Sequence, residues 1–384
     1  MKVLVITWRD LRHSRSGGEE RFLHEICSRL VDRGVNVTML CCGGEGLPSE
    51  ENRDGITIHR VGSLYTFFPR VPLAYKRLAR RDSFDVVIEN ITAVPVFTPL
   101  YVGSRLTAIE HHITDHIFFE ELPAPLGAVA WLAERSIPLF YRSVPFLTVS
   151  ASTRAELEQM GLYVRSVVHN GIDDTLLMSD SGENFDTNTS DDGHRLLYLG
   201  RVRRHKHIDD VVSVVKRLRG EFPNLQLDVA GTGDHLGELR TLVTEWGLND
   251  RVTFHGFVDK PTKRRLLAQA DLFCIASRKE GWGITVIEAN AQGTPVVGYD
   301  VPGLRDSVID GETGVLCKPS VESMTNAVRE LLQNDKLRQS LGENARNHAE
   351  EYTWSQASDT FHTAVFGDRN WNEEEKRDAS ERVN

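Results

Sequence analysis

The chain has 384 residues, too many for one compact core, so two domains are expected. Its 45 basic and 55 acidic residues leave a formal charge of -10, which argues against nucleic acid as the main partner. With 40% hydrophobic and 26% charged residues the composition is that of a soluble globular protein, and no apolar run approaches the ~20 residues that span a bilayer. Met1-Lys2-Val3-Leu4-Val5-Ile6-Thr7 enters a strand pattern directly, without a signal peptide. Cys27, Cys41, Cys42, Cys274 and Cys317 lack Cys-x-x-Cys spacing and read as reduced, mostly buried thiols, which suggests a cytoplasmic protein. Vicinal Cys41-Cys42 also has the donor type of a soft-metal site, the alternative to plain burial.

Residues 3–7 read as a first strand, 19–32 as a helix ending at Gly34, and 35–40 as a second strand. Further strands fall at 85–90, 106–110 and 146–150, the last leading into a helix opened by the capping box Thr153-x-x-Glu156. Residues 174–193 turn polar and rich in Asp, Ser, Asn and Thr, as a linker or surface excursion would. The alternation then restarts with strands at Arg195–Leu199, 225–230, 252–254, Leu272–Ile275 and 295–299. Helices at 208–219, 236–246, 262–270 and Ile284–Ala291 separate them, and Gly293 and Pro295 end the last. Strands spaced this way predict parallel sheets made of right-handed βαβ units. Two such series predict an α/β protein of two doubly wound, Rossmann-like domains facing each other across an interdomain cleft. The tail 367–384 is charged and poor in apolar residues, the composition of a disordered segment.

The most informative stretch runs from Glu280 through Gly281-Trp282-Gly283-Ile284-Thr285 to Glu288. A buried strand, a glycine turn and a helix start place bare N–H groups at a positive helix end, where a diphosphate can sit. One carboxylate falls in the turn and the other about two helical turns later, so the two can hold different hydroxyls of one extended ligand; both also simply favour a helix N-terminus. After the strand Arg195–Leu199 comes Gly200-Arg201-Val202-Arg203-Arg204-His205-Lys206-His207, a basic turn where Arg can fork onto phosphate oxygens and Lys supplies a compact charge. Ala230-Gly231-Thr232-Gly233-Asp234 is a further glycine turn, short of the dinucleotide fingerprint. In the first half, Ser16-Gly17-Gly18-Glu19 opens a helix and His111-His112 closes a strand. Neighbouring strand residues point to opposite faces, so one metal would not take both histidines.

Taken in order, Gly17-Gly18, His111-His112, Asn170-Gly171-Ile172-Asp173, Gly200-Arg201 with Lys206, Gly231-Thr232-Gly233, Phe254-His255-Gly256, Glu280 with Glu288, Gly293-Thr294-Pro295-Val296-Val297 and Asp310-Gly311-Glu312-Thr313-Gly314 resemble the retaining GT-B glycosyltransferases of family four. The likeness runs from Lys2 to about Phe366. It implies an acceptor-binding domain at 1–173, a nucleotide-sugar-binding domain at 194–354, and a helix at 355–366 packing back on the first domain. It also implies transfer of a sugar from a nucleotide-sugar donor with retention of configuration, with His111, Arg201, Lys206 and Glu280 in the chemistry and His112 as the fallback for His111. Donor contacts would come from Gly17, Gly18, Gly231, Val258, Gly283, Ile284, Thr285 and Glu288, the last on the ribose. Asp-x-Asp, a metal signature of another transferase fold, does not occur, so no cofactor and no metal are expected.

The acceptor, a glycan or a lipid-linked molecule, is less legible. Leu64-Tyr65-Thr66-Phe67-Phe68-Pro69-Arg70 with Lys76-Arg77 and Arg80-Arg81, and the apolar stretches 117–119, 126–132 and 137–141, could dock on an anionic membrane face. An ordinary core-facing helix with a solvated charged side is the competing reading. A sugar-nucleotide epimerase on the same fold and a catalytically silent sugar-nucleotide binder are the functional alternatives.

Overall fold

A computed structural model describes residues 1–92, 94–177 and 193–367. Most of the polar excursion and the tail from 368 lie outside the described residues; what is described at the start of the excursion is a short helix, Asp174–Leu177. The chain divides into two compact units, one made of Met1–Gly171 and the residues from Trp354 on, the other of Ile172–Thr353.

The first unit holds β1 (Lys2–Ile6), β2 (Asn36–Cys41), β3 (Glu50–Arg53), β4 (Ile56–Arg60), β5 (Val86–Ile91), β6 (Arg105–Glu110), β7 (Phe146–Thr148) and β8 (Val164–Val167). Their order is β3-β4-β2-β1-β5-β6-β7-β8, parallel throughout except for β3, which pairs antiparallel with β4. Helices cover both faces, so a central strand such as β5 is buried at every residue. Leu4, Ile6, Leu40 and Val87 pack under Phe67, Val71 and Tyr75 of the Phe67–Arg81 helix. A second cluster joins Ile91, Ala108 and Phe146 to Ile137, Tyr141 and Leu157. The helix after β7 is Ala151–Gln159 and its cap is Ser150, whose side chain accepts from the Thr153 N–H. The proposed capping box therefore starts three residues too late, because Ser150, two residues past the strand, already caps the helix through the Thr153 N–H.

The helix Trp354–Phe366 completes this unit. It packs on the Gly18–Asp32 helix, with the Trp354 ring 6.3 Å from Phe22, Arg33 paired with Asp359, and Arg105 donating to the Val365 carbonyl.

The second unit holds β9 (Arg195–Leu199), β10 (Gln226–Ala230), β11 (Val252–Gly256), β12 (Leu272–Ile275), β13 (Val296–Tyr299) and β14 (Gly314–Cys317). All are parallel, in the order β11-β10-β9-β12-β13-β14. Among the described residues no helix is long and apolar enough to cross a membrane. Cys27, Cys41, Cys42 and Cys274 are buried free thiols. Burial pushes Cys42 up to about 11 and Cys41 well above its ordinary value.

Candidate active site

In the second unit the strand order turns around at β9, with β10 and β11 on one side and β12 to β14 on the other. The loops after β9 and β12 therefore leave the sheet side by side at a topological switch point, where open parallel sheets bind ligands. Lys206 ends the tight turn Arg204–Lys206 in the first loop. Its Nζ donates to Glu280 Oε1 in the second loop at 2.6 Å, with side chains only 17% and 14% exposed. Burial works to raise the Glu280 carboxyl, but the Lys206 ammonium and the Ser277 hydroxyl outweigh it and hold the group below the usual carboxylate range. The Tyr198 hydroxyl donates to the Arg201 carbonyl at 2.9 Å and feels the charges of both Arg201 and Glu280. The Arg201 side chain is exposed and has no ion pair among the described residues.

Downstream, Gly283 adopts φ 85, the left-handed conformation that glycine enters freely, and starts the helix Ile284–Ala291. The N–H groups of Ile284 and Thr285 have no acceptor within that helix. Glu288 is 3% exposed and takes Lys263 Nζ at 2.5 Å. Lys263 comes from the helix Lys260–Gln269, whose N-cap Asp259 accepts from the Thr262 N–H at 3.0 Å. It was not a sequence candidate, since Lys260-Pro261-Thr262-Lys263-Arg264-Arg265 reads as a solvated basic helix and only the fold brings it to Glu288. Each glutamate of the pair is thus held by its own lysine. Val258 is half-buried beside Phe257, which is 85% exposed. Gly231 donates to the Gly256 carbonyl at 2.7 Å, and a Cβ there would lie 1.8 Å from the Gly200 oxygen. That glycine is demanded by the contact between two turns, whatever else it does.

In the first unit Gly17 caps the Gly18–Asp32 helix in extended backbone, φ -152, which any residue adopts. Its N–H donates to Glu20 Oε2 at 2.6 Å, while Glu20 Oε1 accepts from the buried Arg9 Nε at 2.7 Å, so the glycine loop is clamped at its base. His111 follows β6 and is 4% exposed, with Nε2 at 3.1 Å from Asn90 Oδ1 and Phe22 edge-on at 5.2 Å. Burial lowers its pKa below the ordinary imidazole value, so the ring is neutral at pH 7. His112 is half-buried, its Nδ1 at 3.9 Å from Glu19. Among the described residues the one group with metal-ligand types close together is His207, Asp209 and Asp210, which leaves out both histidines; Tyr299 already donates to Asp210 Oδ2 at 2.6 Å.

Residues 16–176 match the family described as Glycosyltransferase Family 4, and residues 180–348 match Glycosyl transferases group 1. The glycogen synthase of Mycobacterium tuberculosis is 30% identical over 392 residues, covering 92% of each chain. Among solved structures, sucrose-phosphate synthase from Thermosynechococcus elongatus superposes with a TM-score of 0.80 at 21% identity, covering 94% of this chain and 97% of that one. Anabaena HepE, solved with UDP and glucose, gives a TM-score of 0.73 at 17% identity, covering 95% and 99%. The chain belongs to family four of the glycosyltransferases and is a glycosyltransferase of GT-B type.

Proposed function

We propose that the protein moves a glycosyl group from a nucleoside diphosphate sugar to an acceptor hydroxyl, with retention of configuration and without a metal. The observation that carries this reading is the Lys206–Glu280 pair at the switch point, beside the free N–H groups at the Ile284–Ala291 helix start. The bond from sugar C1 to the phosphate oxygen breaks with its electron pair staying on the phosphate, and C1 bonds the acceptor oxygen, whose proton passes to the departing phosphate. Lys206, Arg201 and the helix-end N–H groups stabilise the negative charge that develops, a role worth a few kcal/mol per well-placed donor. Glu280 then binds the sugar, and Glu288, with Lys263 beside it, the ribose. The bound UDP and glucose of Anabaena HepE and the transferase and synthase names of the relatives favour this over epimerisation or silent binding.

A melting-temperature screen of the protein with UDP-, GDP- and ADP-sugars in EDTA tests donor and metal together. One donor class should stabilise the fold, by about 2.7 kcal/mol at a hundredfold excess over Kd. A shift that requires a divalent ion would remove the metal-free reading, and an inverted anomeric signal in the product's NMR spectrum would remove retention.

For the acceptor we favour a lipid-linked molecule at an anionic membrane. The Phe67–Arg81 helix exposes Arg70, Lys76, Arg77, Arg80 and Arg81 and contains no acidic residue; none of the five has an acidic partner among the described residues. Tyr65 and Leu73 beside them are 71% and 55% exposed. Such unneutralised cations in a chain of charge -10 suit an anionic lipid surface, each contributing on the order of 1 kcal/mol. Binding to phosphatidylglycerol vesicles at low salt should weaken about tenfold or more in the double variant Arg80→Ala/Arg81→Ala. Unchanged binding, or none by the parent protein, would sink the membrane reading.

A further inference from the structure

Asn90, the penultimate residue of β5, has no role in the account above, yet its side chain makes three polar contacts at the end of the first sheet. Its Nδ2 donates to Thr92 Oγ1 at 2.9 Å and to Thr7 Oγ1 at 3.3 Å. The amide is 4% exposed, and with its nitrogen engaged by two hydroxyls it turns its oxygen to His111 Nε2 at 3.1 Å. Facing an oxygen, Nε2 must carry the proton, because two lone pairs at that distance would repel and leave buried groups unsatisfied. In a neutral imidazole the other nitrogen is then bare.

We infer that Asn90 is a positioning residue that fixes His111 in the Nε2–H tautomer and so presents Nδ1 as a hydrogen-bond acceptor for a substrate hydroxyl.

Two neighbours hold the residue in place while Asn90 sets its proton. Phe22 meets it edge-on, Thr153 donates to the His111 carbonyl at 3.0 Å, and Nδ1 has no partner among the described residues. The charged group acting on the ring is Glu19, at the start of the Gly18–Asp32 helix; it works to raise the pKa, and burial prevails in the other direction. With burial prevailing the ring stays neutral, and its tautomer decides what it can do. An Nδ1–H ring could only donate there and could not accept a hydrogen bond from that hydroxyl.

The inference rests on the proposed transfer reaction and on His111 serving it, and the test separates the two. Ring nitrogen shifts of His111 are read by two-bond 15N–1H NMR on the whole protein, with His111→Gln assigning the signal. The parent should show a single Nε2–H tautomer and Asn90→Ala a mixture. In Asn90→Ala kcat should fall at least about tenfold, while donor KM and nucleotide affinity stay within about twofold. Asn90→Asp keeps an oxygen in place and should retain the tautomer and restore turnover. Its added negative charge should also move the acidic limb of the kcat–pH profile upward. A pure tautomer and near-parental turnover in Asn90→Ala would overturn the assignment, as would an unmoved pH limb in Asn90→Asp. Full turnover in His111→Gln would instead remove His111 from the reaction while leaving the NMR result to stand or fall alone.

Discussion

Lys206→Ala is expected to lower kcat by about two orders of magnitude or more, the usual effect of deleting one preorganised group that faces developing charge. The loss should appear in kcat rather than in donor KM, because the charge on the departing phosphate is larger in the transition state than in the bound donor. Lys206→Arg, which keeps the charge but not the compact ammonium, should fall between the two. Steady-state kinetics with the donor class found by melting temperature measures this, and turnover within a few fold of the parent would take Lys206 out of the mechanism. The same substitution strands Glu280, 14% exposed, without its cation. Stability should suffer at neutral pH for that reason, and Lys206→Ala/Glu280→Gln should recover part of it. The sign of the pH dependence follows from the lowered folded pKa of Glu280. The pair contributes fully above the unfolded carboxyl's value of about 4.3 and is lost as pH falls through the lower folded value.

Gly231→Ala should have the largest effect on stability. The residue sits at φ 144, and an added methyl would meet the Gly200 carbonyl oxygen at 1.8 Å, a backbone atom with no freedom to swing away. Backbone strain of ~1–3 kcal/mol and overpacking of ~1–3 kcal/mol together suggest a loss of about 3–5 kcal/mol. For a unit of this size that is a fall of roughly 10 °C or more in its melting temperature. Gly237→Ala is the control of opposite sign, since Gly237 lies inside the Leu236–Glu245 helix with nothing within 4 Å of an added Cβ, and alanine there should stabilise by about 1 kcal/mol. A Gly231→Ala protein as stable as the parent by calorimetry would mean that the two turns do not touch as described.

The alternation of strands and helices was legible because strands buried on both faces, such as Leu272–Ile275, are continuous apolar runs that little else resembles. The edge strand Glu50–Arg53 was not, since Glu50-Glu51-Asn52-Arg53 has no apolar face and is held by its ladder with Ile56–Arg60 and by the ion pairs of Glu51 with Arg12 and Arg60. Pro69 and Pro72 argue locally against the Phe67–Arg81 helix, yet Phe67, Val71 and Tyr75 bury enough surface against the sheet to hold it. At the site, the charges of Lys206 and Glu280 could be read in the chain, but their meeting across 74 residues depends on β9 lying next to β12. Lys263 and Asn90 escaped for a related reason: each lies in a stretch whose local pattern has an ordinary explanation, a basic helix and a strand end. What gives them meaning is a partner from another element.

The Trp354–Phe366 helix belongs to the unit that begins at Met1. Translation therefore delivers every strand of both sheets before it supplies the piece that seals the earlier-made one. The later-encoded lobe can reach its final form on the ribosome while its predecessor still waits for Trp354 to close over Phe22 and, through it, to steady the imidazole of His111. A stop codon shortly before position 354 would then leave the later-encoded unit whole and injure the half of the molecule encoded farthest from the lesion.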